Sequence, residues 1–222
     1  MSLEDLLKNN SAWAEQILAE DPHFFEVLAK QQAPKYLWIG CSDSRVPANE
    51  IVGLKPGEIF VHRNVANIVL HTDFNCLSVV QYAVEVLKVE HIILTGHYGC
   101  GGVTAALQHS ELGLIDNWLY SIRMIIEKHR ELLDSIQEPR HKLDALCELN
   151  VIEQVLHLCT TSIVTKAWQR GQSLQVHGCV YGLNKGILHD LNVTLHNAEE
   201  LPSVYQSALQ ALKERAGVHD SW

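Results

Sequence analysis

Short apolar runs alternate with longer segments of helical periodicity along the chain. Four runs have the length of strands and lie beside turn-forming residues: 36–39, 58–63, 91–95 and 174–181. Between them, apolar positions recur every three or four residues, which predicts helices at 73–88, 102–109, 116–134 and 140–170. We therefore expect an α/β fold in which a central, largely parallel β-sheet is flanked by helices.

Both ends of the chain have helical patterns. Capping residues predict two helices in the first thirty residues, one begun by Ser2 and one begun by Asp21-Pro22 and running to Gln31. Apolar side chains of this segment, Trp13 and Phe24 among them, would pack on the core or clasp a partner subunit. The expected organisation is a single domain over 1–222, with a helical arm at 1–34, a core at 35–200 and a C-terminal helix at 201–222.

The composition is that of a globular protein with an acidic charge balance. The 222 residues are 47% apolar, and 17 basic against 26 acidic side chains give a net charge of −9. This balance argues against nucleic acid or an anionic membrane as a partner. No apolar run approaches the length of a membrane span, and the N-terminus is acidic where a secretory signal would be basic. We therefore expect a cytoplasmic protein.

The cysteines do not form the pattern of a disulfide scaffold. Six in 222 residues are too sparse, and no Cys-x-x-Cys pair supports thioredoxin-type chemistry. Four of them lie in apolar contexts without ligand spacing, which predicts packing roles: Cys76, Cys147, Cys159 and Cys179.

The other two cysteines lie in polar clusters that directly follow strands. Cys41 opens the first cluster, which also contains Asp43 and Arg45, and His97 and Cys100 form the second. Ligands of open α/β sheets bind beyond the carboxyl ends of the strands, where both clusters are expected. Two thiols and an imidazole are ligands that zinc prefers, and three protein ligands with an open fourth position are typical of a catalytic zinc site.

Asp43 leaves two arrangements open. It could bind zinc itself and close the site, or it could pair with Arg45 through two hydrogen bonds and leave the fourth position to water. In the second arrangement it would accept a hydrogen bond from zinc-bound hydroxide and orient it.

The order and spacing of these motifs resemble the β-class carbonic anhydrases. Cys-Ser-Asp-Ser-Arg at 41–45 is followed about fifty residues later by Gly-His-Tyr-Gly-Cys-Gly-Gly at 96–102. The segments at 60–67 and 71–78 resemble bacterial members of that family, and the resemblance extends to about residue 196.

The resemblance implies that Cys41, His97 and Cys100 hold Zn²⁺. It implies that Asp43 and Arg45 form the catalytic dyad, with Asp43 as a fourth ligand in a closed state. The implied reaction is the reversible hydration of CO₂ to bicarbonate and a proton, through attack by zinc-bound hydroxide. The implied assembly is a homodimer or a homotetramer (a dimer of dimers), with the active site near a subunit interface.

A second implication concerns regulation. Some bacterial members bind bicarbonate in a non-catalytic pocket of Trp, Arg and Tyr, which correspond here to Trp38, Arg63 and Tyr181. Cys179 stands where a Trp is usual, so the packing behind this pocket differs from that of the relatives. Ordinary strand packing with one ion pair is the alternative for these residues.

Two other functions remain open at this point. Relatives with the same zinc ligands hydrolyse carbonyl sulfide or carbon disulfide, and the shape of the access channel separates them from enzymes that act on CO₂. A zinc-stabilised scaffold without catalysis, in which Asp43 stays on zinc, is the third possibility.

Overall fold

The computed structural model describes residues 1–30 and 32–216, which build a five-stranded sheet with helices on both sides. The strands are β1 (Tyr36–Cys41), β2 (Ile59–Asn64), β3 (His91–His97), β4 (Gln175–Gly182) and β5 (Ile187–Leu195). Their order is β2-β1-β3-β4-β5; neighbours are parallel, except that β5 is antiparallel to β4. The predicted fold class, a largely parallel sheet flanked by helices, is confirmed.

Ten α-helices are found in the described ranges. They are α1 (Leu3–Glu20), α2 (Phe24–Lys30), α3 (Ala48–Val52), α4 (Phe74–Gln81), α5 (Gly101–Leu107), α6 (Ile115–Lys128), α7 (Arg130–Ser135), α8 (Pro139–Cys159), α9 (Ser162–Gln169) and α10 (Leu201–Ala216). A π-helical segment, Tyr82–Leu87, extends α4, and a 3₁₀ turn, Val65–Asn67, follows β2.

Helix α8 lies closest to the middle of the sheet. Small residues on the strands allow this approach: a Cβ on Gly96 would lie 2.6 Å from Val151 Cγ2, and one on Gly178 would lie 3.2 Å from Val151 Cγ1. The contact buries α8 almost completely from Ala145 to Cys159, including four polar side chains: Glu148, Asn150, Glu153 and Gln154. Those polar groups must find partners inside the protein.

Two predicted helices are each divided in the structure. The segment predicted as one helix over 140–170 ends at Cys159 and restarts at Ser162, where the Thr161 hydroxyl accepts the N–H of Val164 at 3.4 Å. The segment 116–134 is interrupted at His129, whose φ and ψ of −113° and 24° lie outside the helical region. Apolar periodicity continues through both breaks because the flanking helices pack on the same core.

Two further predictions need correction. Asp21 ends α1 as its C-cap rather than beginning α2, which starts at Phe24; the Asp21 carboxylate accepts the N–H of His23 at 3.0 Å instead. Gln31, the predicted end of this helix, lies outside the described residues. The prediction of four strands is one short, because β5 follows β4 as a full strand. Helix α3 was not predicted because its five residues carry too little periodicity.

The terminal segments differ in how they pack. Within residues 1–30, neither α1 nor α2 contains a buried residue, and large apolar side chains such as Leu3, Leu7 and Trp13 are exposed. Helix α10 packs on α8 and β5 and buries Ala208 and Leu212; residues 217–222 of the predicted C-terminal helix lie outside the described residues. None of the described helices is long and apolar enough to cross a membrane.

Candidate metal centre

Three metal-ligand side chains converge at the carboxyl ends of β1 and β3. Cys41 is the last residue of β1, His97 is the last residue of β3, and Cys100 caps the N-terminus of α5. Because β1 and β3 are adjacent parallel strands, their ends meet at one edge of the sheet. The two Sγ atoms are 3.9 Å apart, and the donor atoms of the three residues all lie within 4.8 Å of one another. All three side chains are buried.

The loop between the two ligands of the second cluster fixes the tautomer of the imidazole. Gly99 adopts a φ of +65°, a conformation open to glycine, and so lets the chain turn between His97 and Cys100. His97 Nδ1 lies 3.0 Å from the carbonyl oxygen of Tyr98, which assigns the ring proton to Nδ1. His97 Nε2 is buried and has no hydrogen-bond partner among the described residues. Its lone pair is therefore directed toward the thiols, as a metal ligand requires.

In the absence of a bound cation, the contact between the two cysteines favours a state in which one is a thiolate and the other is a protonated thiol. A hydrogen bond from Cys100 lowers the pKa of Cys41, and the N–H of Ala66 also reaches the Cys41 sulfur, at 3.3 Å. The same contact with Cys41, together with burial, raises the pKa of Cys100. A dication would stabilise both thiolates. Two sulfurs and one imidazole nitrogen are the donor set that Zn²⁺ prefers, so the residues present fit this metal.

Asp43 lies beside this centre and is paired with Arg45. Arg45 Nε donates to Asp43 Oδ1 at 2.9 Å, and Nη2 donates to Oδ2 at 2.6 Å. These hydrogen bonds hold the pKa of Asp43 well below its usual range. Oδ2 lies 3.7 Å from His97 Nε2. Of the two arrangements open to Asp43, the structure therefore has the pair with Arg45.

The three residues of the predicted bicarbonate pocket lie close to the centre but do not all share one cluster. Trp38 is fully buried and packs in the same apolar cluster as Tyr181. Its indole Nε1 has no hydrogen-bond partner among the described residues and lies over Gly40, where a Cβ would be 2.3 Å away. Arg63 instead reaches the backbone around the first ligand cluster, because it donates to the carbonyls of Cys41 at 2.8 Å and Asp43 at 2.5 Å. Cys179 is buried, and burial raises its pKa to about 12.

The sequence motifs gave no indication of a strained turn behind the thiols. Ala66 and Asn67 adopt φ values of +64° and +48°, although neither is glycine. The Asn64 side chain clamps this turn, because its Oδ1 accepts the N–H of Ile68 at 2.8 Å and its Nδ2 donates to the Ile68 carbonyl at 2.7 Å. Asn150 of α8 donates to the Ala66 carbonyl at 2.9 Å. A glycine would have signalled positive φ in the sequence, and none is present.

A buried carboxylate links the loop between His97 and Cys100 to the C-terminal helix, α10. Tyr98, which lies between the two ligands of the second cluster, donates its hydroxyl to Glu148 Oε1 at 2.6 Å. Arg215 of α10 binds the other oxygen of Glu148. Burial raises the pKa of Glu148 in spite of these partners.

One other group of potential ligands occurs in the described residues: His62, Asp73 and Cys76. His62 Nε2 lies 3.2 Å from Nδ2 of Asn64 and is therefore occupied as an acceptor. Burial raises the pKa of Cys76 to about 12, which keeps its thiol protonated. Both observations favour a packing role for Cys76.

Comparison with known proteins places this geometry in a family. The family described as carbonic anhydrase matches residues 36–188. A carbonic anhydrase of Emericella nidulans is 46% identical over 190 residues, which cover 86% of this chain and 83% of that protein.

Two solved structures have the same fold. A β-carbonic anhydrase of Sordaria macrospora, described as tetrameric, superposes with a TM-score of 0.82 at 40% identity, covering 86% of this chain and 98% of that one. The Coccomyxa β-carbonic anhydrase in complex with acetazolamide gives 0.86 at 36% identity, covering 95% and 97%. With the family match spanning most of the sheet and both ligand clusters, this chain belongs to the β-class carbonic anhydrases.

Proposed function

We propose that this chain catalyses the reversible, zinc-dependent hydration of CO₂ to bicarbonate and a proton. Cys41, His97 and Cys100 would hold the zinc. The observation that carries the proposal is the buried Nε2 of His97, which has no hydrogen-bond partner in the described part of the chain. His97 shares a group of potential metal ligands with two thiols, and its Nε2 lies 3.7 Å from Asp43 Oδ2. Bound zinc supplies Lewis acidity, which makes water at its open position acidic near neutral pH.

The chain's own contribution is to hold Asp43 as a permanent hydrogen-bond acceptor. Arg45 keeps this carboxylate ionised by lowering its pKa, and the two-point pair fixes both oxygens. An ionised, fixed acceptor beside the open position orients the attacking water's lone pair toward CO₂, and the released proton passes to buffer. Asp43 does not act as the proton store, because its pKa is too low for it to be protonated near neutral pH.

The test is stopped-flow CO₂ hydration across pH together with metal analysis. We expect about one zinc per chain and activity that rises with pH. Cys100→Ser should lose both zinc and activity, whereas Cys159→Ser, which changes a buried cysteine outside the centre, should keep both. Full zinc without CO₂ hydration would contradict the proposal. Turnover of carbonyl sulfide in that case would indicate the analogue hydrolase, and its absence would indicate the scaffold.

We also propose that bicarbonate inhibits this enzyme at Trp38, Arg63 and Tyr181. The buried indole N–H of Trp38 has no partner among the described residues and belongs to the same apolar cluster as Tyr181; an oxyanion would satisfy this donor. Arg63 is bound to the Asp43 carbonyl, so an anion that attracts its guanidinium would disturb the backbone that carries the dyad.

A homo-oligomer is the assembly we propose. The exposed apolar side chains of α1 form a surface suited to a protein interface, and we propose that a second copy of this chain binds there. The tetrameric state of the Sordaria relative supports this choice.

A further inference from the structure

One peptide group lies between an indole and a metal-ligand thiol. Trp118 of α6 donates its Nε1–H to the carbonyl oxygen of Val65 at 2.8 Å. The amide at the other end of that peptide, the N–H of Ala66, reaches Cys41 Sγ at 3.3 Å. Trp118 is therefore linked to the Cys41 thiol through the Val65–Ala66 peptide.

The geometry of a peptide group makes this connection rigid. The C=O and N–H of a trans peptide point in opposite directions in one plane, so a donor that fixes the oxygen also fixes the direction of the N–H. Hydrogen bonds in such a chain polarise one another, and the indole therefore strengthens the N–H as a donor to sulfur. A hydrogen bond to a thiolate lowers the negative charge that the sulfur presents to a metal.

The surroundings show that this peptide orientation is imposed rather than relaxed. Ala66 has a φ of +64°, which is strained for a residue with a side chain. Gly102 of α5 packs against the same turn, because a Cβ there would lie 3.0 Å from Val65 Cγ1 and 3.1 Å from Ala66 Cβ. Together with the Asn150 contact, the indole hydrogen bond restrains the turn that presents the Ala66 N–H to the sulfur.

We infer that Trp118 is a positioning residue that tunes the metal ligand Cys41 through the Val65–Ala66 peptide. The inference rests on the proposed metal site, but not on the reaction that the site catalyses. It assigns to the indole N–H a function that packing alone would not require.

The test uses Co²⁺ in place of zinc in the full-length protein, since thiolate-to-Co²⁺ charge-transfer absorption reports the charge on sulfur. Trp118→Phe removes the N–H and keeps an aromatic ring. Trp168→Phe is the matched control, because Trp168 Nε1 also donates to a backbone carbonyl at 2.8 Å, that of Leu174, far along the chain from either ligand cluster.

We expect Trp118→Phe to move the charge-transfer band to longer wavelength, because the Cys41 sulfur then presents more negative charge to Co²⁺. Trp168→Phe should leave the band unchanged while losing comparable thermal stability. An unmoved band in Trp118→Phe, or the same shift in both variants, would overturn the inference.

A second substitution separates the hydrogen bond from packing. Benzothienylalanine at position 118 replaces the indole N–H by sulfur and keeps the ring shape; it should reproduce the band shift, and a wild-type spectrum would overturn the inference. Wild-type protein that shows the thiolate band but no CO₂ hydration as the zinc form would contradict the proposed reaction and leave this inference standing.

Discussion

Asp43 and Arg45 form a two-point ion pair in which Nε binds one carboxylate oxygen at 2.9 Å and Nη2 binds the other at 2.6 Å. The backbone N–H of Arg45 also donates to Oδ1, at 3.0 Å. Three donors from a single residue leave the carboxylate with little freedom to rotate. We therefore expect Arg45 to decide whether Asp43 stays away from the Cys41, His97 and Cys100 cluster.

Removal of that guanidinium should lower turnover without loss of metal. In Arg45→Ala, Asp43 loses its partner and becomes free to move toward the ligand cluster, where it would occupy the open position. We expect at least a 10-fold decrease in kcat for CO₂ hydration, with zinc content unchanged. Stopped-flow assays and metal analysis measure the two quantities. Arg170→Ala is the control, since the Arg170 side chain is exposed and donates to Gln172; equal turnover in wild type and Arg45→Ala at every pH would refute the dyad.

Substitution of the pocket phenol should weaken bicarbonate inhibition. Tyr181→Phe removes one hydroxyl and retains the ring that packs in the same cluster as Trp38. We expect a several-fold higher bicarbonate concentration for half-inhibition, with zinc content unchanged. Tyr36→Phe is the control, because Tyr36 packs against the same cluster but lies at the first residue of β1, at the other end of the strand from Cys41. Inhibition that is the same in both variants would remove Tyr181 from the pocket.

Acid should destabilise the fold through Glu153. Burial raises the pKa of this carboxyl, but hydrogen bonds from His129, Lys128 and Tyr205 outweigh it and lower the pKa to about 2 from 4.5. A depressed pKa contributes stability that is present above about pH 4.5 and is lost as pH falls toward 2. The shift corresponds to about 3 kcal/mol.

Glu153→Gln tests this contribution. The variant should be less stable near neutral pH by a few kcal/mol and should show a smaller loss of unfolding free energy between about pH 4.5 and 2. Urea titrations at several pH values measure both effects. The exposed Glu15→Gln change should alter neither, and an unchanged pH dependence in Glu153→Gln would show that other carboxyls carry the acid sensitivity.

Deletion of residues 1–30 should lower the oligomeric mass. The two helices removed contain no buried residue, so the core should keep its own packing while the proposed contact with a second copy is lost. Light scattering after size-exclusion chromatography measures the mass. Trp13→Ala offers a milder test, because this exposed aromatic packs edge-on against Phe25 within the arm. The same mass in wild type and the deletion would assign the interface to another surface.

The sequence predicted four of the five strands, because each of those four contains a short apolar run beside a turn signal, whereas β5 mixes apolar and polar residues. It also brought Cys41 together with His97 and Cys100, since the carboxyl ends of neighbouring parallel strands meet at one edge. Helix breaks were missed because the breaks at His129 and Thr161 leave the apolar periodicity intact.

The supports of the centre were beyond sequence reasoning. The positive φ of Ala66 has no glycine to announce it, and a buried amide such as that of Asn150 looks, in one sequence, like any polar helical residue. Its role depends on α8 lying flat against the sheet, a contact between segments more than eighty residues apart.

The chain of contacts from Tyr98 through Glu148 to Arg215 has a consequence for how the protein opens. The loop after β3 and helix α10 both bind the buried carboxylate of Glu148. If either detaches, that carboxylate loses one of these two hydrogen-bond partners. Amide hydrogens in α10 and in the loop after β3 should therefore exchange with solvent as one cooperative unit. Local unfolding that begins in α10 should therefore reach the loop that carries Cys100 before the sheet unfolds.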